Sequence, residues 1–353
     1  MSALPDELRL ALAFGLGSAL AFATVPLAIR LAWRTDFFDQ PVGYKRHGRP
    51  TPYLGGVGVM AAFLAVALLL GSGGSGYAVL LLAAVGLCAI GTVDDRIGLG
   101  PATRVLAEIA AAYAIWKAGF GWALFETAAI NLALTVVWVV AIVNAFNLMD
   151  NLDGATGSVG AVSVLGIGVL AASQGEIALA AMAFGLSGAC LTFLLFNLPS
   201  PARVFLGDGG SMPVGFLLAA MLTAIPATDG FGTAAVFAVV PFVGLIVLDT
   251  TLVVVSRLRR GAPVMSGGRD HTTHRLLALV DTPGRVALVL ALAQAGLSAL
   301  GFALFDSSIA TVFAASTAYV LLGAAAIAAL EWPYVRDEAM AATPAPARQE
   351  SGS

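Results

Sequence analysis

Eleven apolar stretches dominate this 353-residue chain. They fall at 8–32, 54–71, 77–93, 104–119, 130–147, 155–173, 177–196, 211–227, 232–256, 286–305 and 309–330. Each is long enough to approach or span the roughly 30 Å of a bilayer's hydrocarbon core. In hydrocarbon a segment must satisfy its own backbone N–H and C=O groups, so runs of this kind cross as helices. Charged residues make up 11% of the chain, against about 25% in a soluble domain. The chain therefore reads as an all-α polytopic integral membrane protein of about eleven transmembrane helices. The count is ten if one of the two weakest runs does not cross: 104–119 carries Glu108 and Lys117, and 211–227 is short. One catalytic domain is expected over 1–330. Residues 331–353, rich in Ala, Pro and charge, read as a disordered cytosolic tail. The first run is expected to be a retained span, because Asp6 and Glu7 flank it with only Arg9 where a leader would be positive. Cys88 and Cys190 both sit inside apolar runs and read as packed hydrophobes.

Basic residues orient the chain. Of 18 Lys and Arg residues, only Arg9 and Lys117 fall beside the connections after even-numbered spans. The positive-inside rule then puts the N-terminus outside and the C-terminus in the cytosol. The loops after spans one, three, five, seven and nine share the cytosolic side, and they carry the chemistry.

Loop one holds Lys45, Arg46, His47 and Arg49, with Pro50, Pro52 and the Gly55-Gly56 pair close by. That suits a phosphate or lipid headgroup, with a constrained backbone close to its target. Loop two holds Asp94-Asp95, adjacent carboxylates at the end of an apolar run, followed by a tight turn at Gly98 and Pro101. Two acids at a helix C-terminus repel each other and oppose the helix dipole, which calls for a cation. Loop three holds Asn144, Asn147, Asp150 and Asp153 and no basic residue. Nucleotide recognition and metal coordination both suit it. Loop four sets Asp208 among Gly207, Gly209 and Gly210. Loop five holds His271 and His274, two of the three histidines in the chain. Carboxylates for a hard divalent cation, basic groups for phosphates and amides for a nucleotide point to Mg²⁺-dependent phosphoryl transfer at the membrane surface, with Mn²⁺ as a substitute. The sequence has no zinc-type His/Cys ligand set.

The order of these motifs resembles the polyprenyl-phosphate N-acetylhexosamine-1-phosphate transferase family, over about Asp36 to Leu276. The motifs are Lys45-x-His47 with Pro50-Thr51-Pro52, Asp94-Asp95-x-x-Gly98-Leu99, and Asn147-Leu148-x-Asp150-x-x-Asp153-Gly154. Asn197, Pro201-Ala202-Arg203, Phe205-x-Gly207-Asp208-x-Gly210-Ser211 and His271-x-x-His274-Arg275-Leu276 complete the set. The resemblance implies transfer of N-acetylhexosamine 1-phosphate, chiefly N-acetylglucosamine 1-phosphate, from a UDP-sugar to a polyprenyl phosphate such as undecaprenyl phosphate. UMP is released, at the first step of a lipid-linked cell-envelope glycan. It also implies an inner or plasma membrane enzyme whose active site faces the cytosol. On the matching positions it implies Asp208 as the Mg²⁺ ligand. Asp94, Asp95, Asp150, Asp153 and His271 would be catalytic, and Lys45, His47, Asn147, Asn197, Arg203, His274 and Arg275 would bind substrate. The residues leave single and double displacement open, and single displacement is the expectation because a phosphate monoester is already a competent nucleophile once positioned.

Three positions depart from the family pattern: Thr273 stands where a histidine is usual, Tyr53 where an arginine is common, and Asn151 where Gly is frequent. The triple histidine of the peptidoglycan branch is absent, so transfer of phospho-MurNAc-pentapeptide ranks second. A transporter is the rival of a different class. Asp249, alone inside the ninth run, is the acid that would mark an ion path. No nucleic-acid partner is expected, and a homodimer is compatible with the reading.

Overall fold

The computed structural model describes residues 4–39, 50–71, 74–225, 234–264, 268–305 and 307–342. Among the described residues all eleven apolar runs are helical. They form α1 (Asp6–Arg34), α2 (Gly55–Leu70), α3 (Ser75–Ile97), α4 (Pro101–Lys117), α5 (Ala128–Met149), α6 (Ala155–Ser173), α7 (Ile177–Asn197) and α8 (Asp208–Ala224). The ninth run is broken into α9 (Ala234–Val239), a 3-10 turn at Val240–Val243 and α10 (Gly244–Arg260). The break falls at Pro241, which lacks the N–H that an unbroken helix needs. A short α11 (Thr272–Val280) precedes α12 (Pro283–Phe305) and α13 (Ile309–Ala342). Among the described residues eight helical segments are long and apolar enough to span a membrane, while α2, α4 and α8 have 16 or 17 residues.

Helix α13 runs unbroken to Ala342, so residues 331–342, which read as the start of a tail, are helical. Alanines and charged side chains are good helix formers, so a change in composition did not mean a change in backbone. Residues 343–353 lie outside the described set.

Helix α8 is the centre of the bundle, buried along almost its whole length. Its neighbours α2 and α3 reach it through glycines. A Cβ on Gly91 would lie 2.2 Å from the Asp208 carbonyl oxygen, and one on Gly56 would lie 2.2 Å from the Gly210 Cα. Small residues let helix backbones meet where lipid supplies no hydrophobic drive between them. At the other extreme, few residues in the apolar stretch of α13 are buried.

The five loops expected to share one side do meet at one end of the bundle. Loop one contains a hairpin not foreseen from sequence: β1 (Phe38–Asp39) pairs antiparallel with β2 (Thr51–Pro52), Phe38 opposite Pro52 and Asp39 opposite Thr51. The Phe205 N–H in loop four donates to the Pro52 carbonyl at 2.8 Å. Arg96, at the end of α3, donates to the Asp36 carbonyl at 2.6 Å and stacks over the Phe37 ring.

Candidate active site

The acids of loops two and four are interlocked. The Asp95 carboxylate caps the N-terminus of α8. Its Oδ1 accepts the Asp208 N–H at 2.9 Å and its Oδ2 accepts the Gly209 N–H at 3.0 Å. Those N–H groups have no partner within their own helix, and the positive end of the helix dipole favours a carboxylate there. Gly207, at φ 69°, makes the turn into the helix, and a Cβ there would lie 2.6 Å from Asp95 Oδ2. Both oxygens of Asp95, a residue expected to be catalytic, are engaged in holding the backbone that presents Asp208.

Asp208 Oδ1 accepts a hydrogen bond from the Asn147 side-chain amide at 2.7 Å, and the same amide donates to Ser211 Oγ at 2.8 Å. Asp208 Oδ2 accepts from Arg104 Nη1 at 2.8 Å, and that nitrogen also lies 3.0 Å from Asp94 Oδ2. Arg104 is thus the cation that the adjacent acids called for. Gly98, at φ 67°, closes α3, and its N–H returns to the Asp94 carbonyl at 2.8 Å. The Leu99 N–H donates to the other oxygen of the Asp94 side chain.

Loop three joins the same cluster. Asp150, the residue after α5, accepts the Thr156 hydroxyl and the Gly207 N–H. Burial raises its pKa to about 6; Asp153 adds to the rise, and the two hydrogen bonds oppose it. Nearly two turns back, Asn144 donates to Glu108 Oε2 at 2.5 Å. Asn197 was expected to bind substrate. It is 6% exposed, accepts the Gly154 N–H at 2.6 Å and donates to the Val204 carbonyl at 3.0 Å. It staples loop three to loop four. Arg203 is exposed, with its backbone N–H on the Phe196 carbonyl at 3.0 Å.

Loop five forms a second cluster. Asp249 is fully buried on α10. Its Oδ2 lies 2.9 Å from His271 Nδ1, and its Oδ1 accepts the Thr272 N–H at 2.7 Å. One carboxylate therefore caps α11 and fixes an imidazole, leaving Nε2 as the ring nitrogen open to a ligand. Asp270 is gripped by the Arg257 guanidinium at 2.8 and 2.9 Å and by Arg260 at 2.7 Å. Burial alone would raise its pKa, but the Arg257 hydrogen bonds outweigh it and hold it at about 2. Arg275, expected at the substrate, points inward. It donates to the Asp270 carbonyl, Ser256 Oγ and the Leu330 carbonyl, each at 2.9 Å, and to Glu331 Oε2 at 2.7 Å. Thr273, fully buried, donates its hydroxyl to Asn151 Oδ1 and joins the two clusters. His274 lies edge-on to His271, ring centroids 6.4 Å apart, and its buried Nδ1 has no hydrogen-bond partner. Burial, then the nearby Arg269 and His271 charges, lower its pKa to about 4, so it is neutral near pH 7.

Asp94, Asp95, Asp150, Asn147 and Asp208 are thus brought together, with Asp153 beside Asp150. Lys45 and His47 lie outside the described residues. The Gly55-Gly56 pair meets loop four, donating to the carbonyls of Phe205 at 3.1 Å and Leu206 at 2.9 Å. Sequence reasoning missed Arg104, which looked like ordinary cytosolic charge. It left Asp249 without a role, although a lone acid in an apolar run was the signal.

A hard divalent cation needs one or two carboxylates, with phosphate and water oxygens completing its shell. No group of three or more His, Cys, Asp or Glu among the described residues is arranged as a metal cage. Asp94 and Asp208, side chains 9% and 23% exposed, converge on one positive group, Arg104. Their donor set, two carboxylates with Asp208 the more open, is of the chemical type a hard divalent cation takes, and Arg104 occupies the positive position between them.

Residues 77–226 match the pattern of glycosyl transferase family 4. The chain is 33% identical over 348 residues to a decaprenyl-phosphate N-acetylglucosaminephosphotransferase of Mycobacterium leprae, covering 87% of this chain and 85% of that one. It is 26% identical to a probable undecaprenyl-phosphate N-acetylglucosaminyl 1-phosphate transferase of Bacillus subtilis, covering 77% of this chain and 78% of that one. A similar protein from Yersinia pestis, an undecaprenyl-phosphate alpha-N-acetylglucosaminyl 1-phosphate transferase, is 27% identical over 80% of each chain.

Proposed function

This chain belongs to the polyprenyl-phosphate N-acetylglucosamine-1-phosphate transferases of glycosyl transferase family 4, and from that premise we propose that the cluster around Arg104 is its active site. It is a multi-pass membrane enzyme that transfers N-acetylglucosamine 1-phosphate to a polyprenyl phosphate lipid. The donor in this reading is UDP-N-acetylglucosamine. The carrying observation is that Arg104 draws Asp94 and Asp208 onto one positive charge beside Asn147.

An oxygen of the lipid phosphate bonds to the phosphorus that bears the sugar. The bond from that phosphorus to the bridging oxygen breaks, and UMP departs with the bridging oxygen. Asp208, with Asp94 beside it, would hold Mg²⁺, which when bound neutralises charge on the phosphate oxygens. Asp95 fixes the end of α8, so that the Asp208 carboxylate keeps its place. Asp249 sets the ring of His271, and His271 Nε2 and the neutral His274 serve the phosphates as hydrogen-bonding groups. Arg104 is available to phosphate oxygens, since positioning and charge stabilisation are most of what phosphoryl transfer requires. The distribution of Arg and Lys favours a site facing the cytosol, where a soluble nucleotide and a membrane lipid can both reach it.

Membranes carrying the protein are expected to move labelled sugar phosphate from UDP-N-acetylglucosamine to decaprenyl or undecaprenyl phosphate with Mg²⁺, releasing UMP. UDP-N-acetylgalactosamine and UDP-MurNAc-pentapeptide are the comparison donors. Release of UMP from one of those two instead would move the donor assignment; release from none of the three would overturn the reading.

A further inference from the structure

The last helix, α13, lies beyond the motifs of the active site and beyond the matched family pattern, yet it makes a buried ion pair with loop five. Glu331 is 1% exposed, and Arg275 is 6% exposed. Arg275 Nη1 donates to Glu331 Oε2 at 2.7 Å and to the Leu330 carbonyl at 2.9 Å. Its Nη2 reaches Ser256 on α10, and its Nε reaches the Asp270 carbonyl at the start of the histidine segment. A guanidinium is planar and forked, so fixing its far side fixes the near side too. One side chain therefore ties α13, α10 and the turn that carries His271.

The other anchors of this segment come from other elements. Asp249 on α10 holds His271 and Thr272, Arg257 and Arg260 hold Asp270, and Asn151 in loop three holds Thr273. From α13, Glu331 is the charged anchor, beside the Leu330 carbonyl. Its second oxygen, Oε1, is buried without a hydrogen-bond partner. Burying a carboxylate this way is costly unless it is paired, so the pair with Arg275 is what keeps the charge there.

We infer that Glu331 is a positioning residue for the transfer reaction, acting through Arg275 to hold the Asp270–His274 segment against loop three. The inference rests on the proposed active site for its effect on turnover, and on the ion pair alone for its effect on the segment. Two readouts keep these apart. In Glu331→Gln, hydrogen exchange at the amides of Asp270 to Leu276 is expected to rise about tenfold, with other helices unchanged. This measurement uses the detergent-solubilised full chain and no substrate. In the same variant kcat/KM is expected to fall about 10- to 100-fold, the loss typical when the partner that orients a functional side chain is removed. The melting temperature is expected to fall as well, because Arg275 is left buried without its counter-charge, so kcat/KM is compared per folded molecule. Arg275→Lys, which keeps the charge but loses the fork, is expected to reproduce both effects.

Unchanged exchange in both variants would overturn the inference whether or not the enzyme turns over. A uniform rise across all helices, with kcat/KM per folded molecule unaffected, would reduce Glu331 to a stabilising residue and overturn the positioning role. An inactive parent with the local exchange change intact would count against the proposed reaction and leave the strut standing.

Discussion

The carboxylate of Asp95, on α3, caps the helix that begins with Asp208. One acid of the adjacent pair holds the backbone of the acid proposed to face the substrates. Asp95→Asn keeps one acceptor oxygen and loses the charge. It is expected to lower stability by about 0.5–2 kcal/mol, the usual range for a lost N-cap, and to lower kcat with it. Asp94→Asn should lower kcat with little change in melting temperature. Thermal melts and initial rates on the same preparations separate the two, and equal melting losses would contradict this division of roles.

Asp208→Asn removes the charge that Arg104 and a divalent cation would share. Turnover is expected to drop at least about 10²–10³-fold, the scale of a lost charge-stabilising contact. Chelation with EDTA should abolish activity, and added Mg²⁺ should restore it in the parent but not in the variant. Substantial activity in Asp208→Asn would remove it from the metal site.

Asp249 and His271 make a testable pair. Asp249→Asn can present an amide N–H to Nδ1 and reverse the ring's tautomer. The expected fall in kcat/KM is about 10- to 100-fold. A rate within twofold of the parent would mean that the imidazole's orientation does not matter. A loss seen equally in a transport assay, with no UMP formed, would return Asp249 to an ion path.

Asn151 and Thr273 both depart from the family pattern, and they are bonded to each other. A double-mutant cycle with Asn151→Ala and Thr273→Val should give a coupling of about 0.5–1.5 kcal/mol in kcat/KM. Additive single effects would mean that the two departures are independent.

His274 gives a pH dependence with a definite sign. Its folded pKa, about 4, lies below its ordinary value of 6.5. Between those values the unfolded chain holds the proton and the folded chain does not, so stability is full above about pH 6.5 and declines towards pH 4. His274→Gln should flatten that decline in a series of thermal melts. An unchanged slope would assign the acid sensitivity to another group.

Charge legibility explains what the sequence revealed and what it hid. Asp94, Asp150 and Asp208 stood out because each ends or begins an apolar run, where a carboxylate has few bland uses. The helices followed from the runs themselves. Asn197 and Arg275 were harder. A polar side chain in a motif can face a ligand or a neighbouring backbone, and only packing decides between them; both face inward. Arg104 was hidden among many basic residues on its side. Asp249 meets His271 only through tertiary packing, and Glu331 meets Arg275 in the same way. In the sequence, Glu331 looked like the first residue of a tail.

The glycine contacts between α2, α3 and α8 have a consequence for how such an enzyme can cycle. With Gly91 against the Asp208 backbone and Gly56 against Gly210, there is no slack for the carboxylate end of the site to travel. Long substrates must still enter and leave. The acids therefore act as an anvil, and substrates must reach and leave them without shifting that backbone.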